Sequence, residues 1–68
     1  MAAGPIAATP RELLTPAETA ALLRISKASV YRLVERREVP FYRLRGSLRF
    51  DRRDIEAYLE RCRVGPAA

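Results

Sequence analysis

The sequence predicts a mainly α fold with one small β-hairpin, in the order α-α-β-β-α. Three observations carry this expectation. Capping residues at Thr15 and Ser26 each open an apolar helical stripe, the stretch YRLRGSLRF at residues 42–50 alternates around a central glycine, and Asp51 opens a last amphipathic run. At 68 residues the chain makes one small domain, too short for a roomy cleft, so its function is expected at a surface.

The first twelve residues, MAAGPIAATPRE, are small residues with two prolines and no usable period, and the chain ends in GPAA. Residues 1–12 and 63–68 are therefore expected to be flexible tails around an ordered unit at 13–62. In that unit TPAE supplies Thr15 as helix cap, Pro16 at the first helical position and Glu18 to complete a capping box. The first helix continues with Ala17, Ala20 and Leu23 on one stripe, and the small Ala20 lets another helix approach. Ser26 caps a second helix, KASVYRLVERR, whose Val30, Leu33 and Val34 fall at i, i+3 and i+4 and point to the core. Lys27, Ala28, Ser29, Tyr31, Arg32, Glu35 and Arg36 then face outward, and Pro40 forbids continuation. Two helices joined by a three-residue turn, the second with an exposed and basic opening, form the helix-turn-helix pattern, which any helical hairpin could also produce.

In the alternating stretch Tyr42, Leu44, Leu48 and Phe50 are apolar, and Arg43, Arg45 and Arg49 are basic. A three-residue loop Arg45-Gly46-Ser47 keeps the faces clean, setting Leu44 opposite Leu48, Tyr42 opposite Phe50 and Arg43 opposite Arg49; a Gly46-Ser47 loop would mix them. Like charges directly opposite destabilise a hairpin, a cost offset where phosphates lie against that face. Alternatively, Asp51 or Glu56 neutralises these arginines within the fold. Asp51 is expected to cap a third helix, with Asp54 in its first turn and Ile55, Tyr58, Leu59 and Cys62 on one stripe; its balanced charges mark it as scaffold.

The net charge of +5 is unevenly placed. Residues 27–50 hold seven cations, Lys27, Arg32, Arg36, Arg37, Arg43, Arg45 and Arg49, against Glu35 and Glu38, while the segments on either side are neutral. A block so concentrated points to a polyanionic partner, either nucleic acid or an anionic membrane face. Arginine outnumbers lysine twelve to one, which suits bidentate recognition of phosphate and guanine but equally suits a GC-rich genome. There is no histidine and one cysteine, so no disulfide framework or zinc site is expected. No cofactor, metal or small-molecule ligand is expected, and no paired nucleophile and base or phosphate-cradling glycine loop suggests an enzyme. Without a long apolar run or signal segment, the expected location is cytoplasmic and nucleoid-associated.

From LLTPAETAALLRISKASVYRLVERREVP through YRLRGSLRFDRRDIEAYL the chain resembles the small winged-helix domains of the excisionase type, a branch of the MerR-like DNA-binding folds. The elements that carry the resemblance are the LTPAE opening, Ser26 to Arg32, the Val39-Pro40 exit and the LRFDRRDIEAYL close. The resemblance implies a winged helix-turn-helix whose second helix enters the major groove, with Lys27, Ala28, Ser29, Tyr31, Arg32 and Arg36 as recognition surface. It implies a wing at Arg43, Arg45, Gly46, Ser47 and Arg49 that reaches the minor groove or the flanking phosphates. Arg37 and Arg45 stand where relatives often carry glycine. The resemblance further implies an accessory factor of excision that binds side by side with copies of itself, bends DNA and biases an integrase. A stand-alone MerR-like transcriptional regulator uses the same scaffold, and a protein-interaction module such as an anti-repressor is the reading from a different class. Phe41 has two open placements, exposed on the wing or tucked under the recognition helix.

Overall fold

A computed structural model describes residues 11–66. Its elements are β1 (Leu13–Leu14), α1 (Pro16–Leu23), α2 (Lys27–Glu35), β2 (Tyr42–Leu44), β3 (Ser47–Asp51) and α3 (Arg52–Arg61). This is the expected winged helix-turn-helix order with one strand added in front.

Each helix starts where a local side chain satisfies its free N–H groups. At α1 the capping box is complete: the Glu18 amide donates to Thr15 Oγ1 at 3.1 Å, and the Thr15 amide donates to Glu18 Oε1 at 2.9 Å. At α2 the Ser29 amide donates to Ser26 Oγ at 3.1 Å, and at α3 the Arg53 amide donates to Asp51 Oδ1 at 2.9 Å. Losing such a cap typically costs about 1 kcal/mol.

Both helices of the helix-turn-helix end in the same way. Arg24 turns left-handed (φ 59°), the Arg24 amide donates to the Ala21 carbonyl at 3.2 Å, and the Ile25 amide donates to the Ala20 carbonyl at 3.0 Å. Arg37 repeats this (φ 56°), its amide donating to Val34 at 3.0 Å and that of Glu38 to Leu33 at 2.9 Å. These are Schellman closures, which most helices reserve for glycine. Arg37 thus takes a backbone conformation that favours glycine.

The core is one cluster of Leu14, Ala20, Val30, Leu33, Val34, Val39, Phe50 and Ile55. Val30, Leu33 and Val34 are buried as their spacing predicts, and Phe50, Ile55 and Val30 are fully enclosed. Two stripes differ from expectation. On α1 the buried pair is Thr19 and Ala20, and Ala17 is exposed; the Thr19 hydroxyl survives burial by donating to the Thr15 carbonyl at 2.9 Å. On α3 only Ile55 is buried and Tyr58 half-buried, while Leu59 and Cys62 face outward; the helix packs on β3, and its last turn reaches the α2 exit through Arg61, whose Nη2 donates to the Glu38 carbonyl at 3.4 Å.

The sheet has three antiparallel strands in the order β1-β3-β2. The strand not expected from sequence, β1, sets Leu13 opposite Asp51 and Leu14 opposite Phe50. Arg11 and Glu12, placed in the tail by sequence reasoning, are fastened to this edge. The Glu12 carbonyl accepts from the Arg52 amide at 2.9 Å, and Arg11 reaches Asp51 at 3.2 Å and the Tyr42 hydroxyl at 3.0 Å. The rest of that tail, residues 1–10, and Ala67 and Ala68 lie outside the described residues; residues 63–66 are exposed and without regular structure.

The hairpin register corrects the expected one. Tyr42 lies opposite Arg49, Arg43 opposite Leu48 and Leu44 opposite Ser47, so the loop has two residues, Arg45 and Gly46. Both are left-handed (φ 53° and 84°), as a type I′ turn requires. A one-residue slip exchanges the faces of a strand. Tyr42 and Leu44 therefore share a face with Arg49, whereas Arg43 shares one with Leu48 and Phe50, and the repulsive Arg43–Arg49 pair does not form. Turn geometry prevailed over face alternation because β2 is a three-residue edge strand with no fully buried side chain to enforce the pattern.

Candidate nucleic-acid interface

The opening of α2 presents Lys27, Ala28, Tyr31 and Arg32 to solvent, with Arg36 exposed at its end and Ser29 half-buried. The spacing of Val30, Leu33 and Val34 fixes this orientation, because burying those three turns the opposite face outward. A short polar relay organises the surface. Ser29 Oγ accepts from the Ser26 hydroxyl at 3.0 Å and from Arg32 Nη2 at 3.2 Å. The contact draws the Arg32 guanidinium back over the first turn of the helix. Ser29 still has its own O–H to donate, since a hydroxyl can accept twice and donate once.

The hairpin stands beside this helix and leaves an open cleft between them. Tyr31 and Glu35 of α2 line one side; Arg43, Gly46, Ser47 and Arg49 line the other. Five of the sequence-selected residues, Tyr31, Arg43, Gly46, Ser47 and Arg49, thus converge on one cleft. Lys27, Ala28, Ser29, Arg32, Arg36 and Arg45 do not line it; the first four belong to α2, Arg36 caps its end, and Arg45 projects at the hairpin tip. Arg49 is the least free of the wing arginines, being half-buried and donating to the Leu48 carbonyl at 2.7 Å.

Electrostatically the face carries a positive excess: Glu35 lines the cleft but forms no ion pair among the described residues. Among the described residues no carboxylate lies within 4 Å of any of the seven cations in residues 27–50. Asp51 and Glu56, the groups that could have neutralised the wing, are engaged elsewhere: Asp51 by Arg11 at 3.2 Å and Arg53 at 3.3 Å, Glu56 by Arg52 at 3.1 Å. The Arg53 side chain and amide hold the Asp51 carboxyl below its ordinary value of 3.8, a sign of how firmly it is held on that side.

Sequence reasoning left Phe41 unplaced and Arg37 outside the site. Phe41 sits at the passage from α2 to the hairpin, half-buried against the core, with the Arg37 guanidinium 5.5 Å and that of Arg43 5.9 Å from its ring centre. Aromatic residues so flanked by guanidiniums in the sequence REVPFYR were the available signal. Among the described residues, no helix is long and apolar enough to cross a membrane, and no group of three or more His, Cys, Asp or Glu side chains could hold a metal ion.

Comparison with known proteins agrees with this architecture. Two proteins of Mycobacterium tuberculosis, "Putative DNA-binding protein MT0521" of strain CDC 1551 / Oshkosh and "Putative DNA-binding protein Rv0500A" of strain ATCC 25618 / H37Rv, are each 47% identical to this chain over 49 residues. The match covers 72% of this chain and 63% of either relative, so the chain spans less than two thirds of their length. No solved structure gives a significant match. Residues 13–63 match the family described as "Helix-turn-helix domain", a span running from β1 past the end of α3. With helix, turn, helix and hairpin all in place, the chain belongs to this helix-turn-helix domain family, the class of fold that docks on duplex DNA.

Proposed function

We propose that this domain binds duplex DNA sequence-specifically, with α2 in the major groove and the β2–β3 hairpin against the flanking backbone. One observation carries the reading: seven cations on α2, its C-terminal closure and the adjoining hairpin, none with a carboxylate partner within 4 Å among the described residues. The names of the mycobacterial relatives point the same way. In this reading Arg32 reads guanine bidentately, Lys27 and Ala28 lie against base edges, and Tyr31, Ser29, Arg36 and the wing residues Arg43, Arg45, Gly46, Ser47 and Arg49 hold phosphates.

The finer role we propose is that of an excisionase-like factor, which bends DNA beside an attachment site and biases an integrase; copies bound side by side would act together. It is supported by the resemblance of the whole ordered stretch to that branch. A stand-alone regulator of transcription on the same scaffold is distinguished by function rather than by fold. Neither role requires chemistry on the DNA by this chain.

The test is a mobility shift on random-sequence duplex at low salt, followed by a salt titration. About four to six phosphate contacts predict that log K falls with log salt at a slope of about −4 to −5. Affinity that ignores salt rejects the reading. Selection of binding sites from a random pool, followed by circular-permutation bending and an excision assay with an integrase, where one is encoded beside this chain, separates the two finer roles.

A further inference from the structure

Every non-glycine residue with a left-handed backbone among the described residues is an arginine: Arg24 at φ 59°, Arg37 at φ 56° and Arg45 at φ 53°. These are the two helix closures and the hairpin turn, positions where glycine sits without steric cost and asparagine with little. Arginine there crowds its Cβ against the neighbouring carbonyl, and the fold gives up stability to keep it. All three side chains are exposed and none has an ion-pair partner among the described residues, so no ion pair within the domain offsets the strain; Arg37 has only the face of Phe41, 5.5 Å from its guanidinium. Arg37 is also stacked on Phe41 beside Arg43, which holds two like charges near one ring.

Arg45 already belongs to the proposed wing. Arg24 and Arg37 bracket α2, one just before its cap Ser26 and the other just after its last turn. A helix of nine residues is about 14 Å long at 1.5 Å per residue, and the major groove is about 12 Å wide, so residues beyond its two ends come near the phosphates at either rim. We propose that Arg24 and Arg37 are backbone-phosphate anchors at the two ends of the recognition helix, kept as arginine at a cost in stability. This rests on the duplex-DNA reading above and adds two contacts to it.

The strained conformation makes the test unusually clean, because removing the side chain should improve the fold while harming the function. Arg24→Gly and Arg37→Gly should each raise the melting temperature by about 2–6 °C. Each should weaken binding to random-sequence duplex about five- to tenfold and make the salt slope shallower by about 0.9. Arg24→Asn and Arg37→Asn, which keep a side chain tolerant of this backbone, should lose affinity alike. Unchanged affinity and slope in the Gly and Asn variants, with Arg45→Ala still weakened, overturns these two anchors and leaves the DNA reading standing. Wild-type protein that fails to bind duplex at low salt overturns both. A melting temperature that falls in the Gly variants overturns the argument from strain.

Discussion

The arginines at the start of α3 and those on α2 and the hairpin are the same side chain in two different situations. Arg52 and Arg53 sit among Glu12, Asp51 and Glu56, with Arg11 closing on Asp51 from the β1 edge, and all of these contacts lie between 3.1 and 3.4 Å. Across the molecule Arg32, Arg36, Arg43, Arg45 and Arg49 have no carboxylate partner within 4 Å among the described residues. The first group fastens a strand edge to a helix start. The second holds uncompensated charge in front of solvent, which favours an external polyanion over internal pairing. Arginine count alone says nothing of function; the location of the acidic partners does.

The comparison can be broken most directly at Arg32. Arg32→Ala should cost about tenfold to a hundredfold against the preferred site and little against random duplex, measured by competition binding, with an unchanged melting temperature. Next is the paired side. Asp51→Ala removes a cap and the acceptor of two arginines, and should lower the melting temperature by about 5 °C or more while leaving DNA affinity intact. Acid should show the same contact titrating. The Asp51 carboxyl is lowered in the fold by Arg53, so its contribution is full above the unfolded value and is lost as pH falls through the lower folded value. Between pH 5 and 2 the wild type should therefore lose more stability than Asp51→Asn, in melts followed by circular dichroism.

A smaller effect is expected from Arg45→Ala, a loss of about five- to tenfold that is equal on all sequences. If Arg32→Ala and Arg45→Ala behave alike, the division between base reading and phosphate holding fails. Smallest of all, Arg52→Ala removes two exposed ion pairs and should shift the melting temperature by no more than about 3 °C and leave binding untouched, since such pairs contribute little. A loss of DNA affinity in Arg52→Ala would show that the paired side also faces the duplex.

The helices and the exposed face of α2 were legible because their signals are local. Thr15 and Glu18, or Ser26 and Ser29, find one another within a single turn, and Val30, Leu33 and Val34 fall together by the pitch of the helix. The hairpin was less legible. Its alternation favoured a three-residue loop, but Arg45 entered a left-handed conformation beside Gly46, and a two-residue turn moved Arg43 to the other face. That backbone state leaves no mark in composition, because arginine is not a residue that usually adopts it. The candidate site shifted accordingly: Arg43, Gly46, Ser47 and Arg49 still line one cleft with Tyr31, yet through a pairing different from the expected one.

By itself, then, the sequence determined the three helix starts, the buried stripe of α2 and the gathering of positive charge into residues 27–50, since each depends on neighbours a turn apart or on simple counting. Only the tertiary structure decided which arginines are neutralised. The contacts that do so include Arg52 with Glu12, forty residues apart in sequence, and the same edge joins Arg11 to Tyr42 across thirty-one. They exist because β1 adds to the sheet at Leu13 and Leu14, a strand too short to show a period, and because Asp51 is buried between that strand and α3. Pairing across such distances follows from chain packing, which local patterns do not encode.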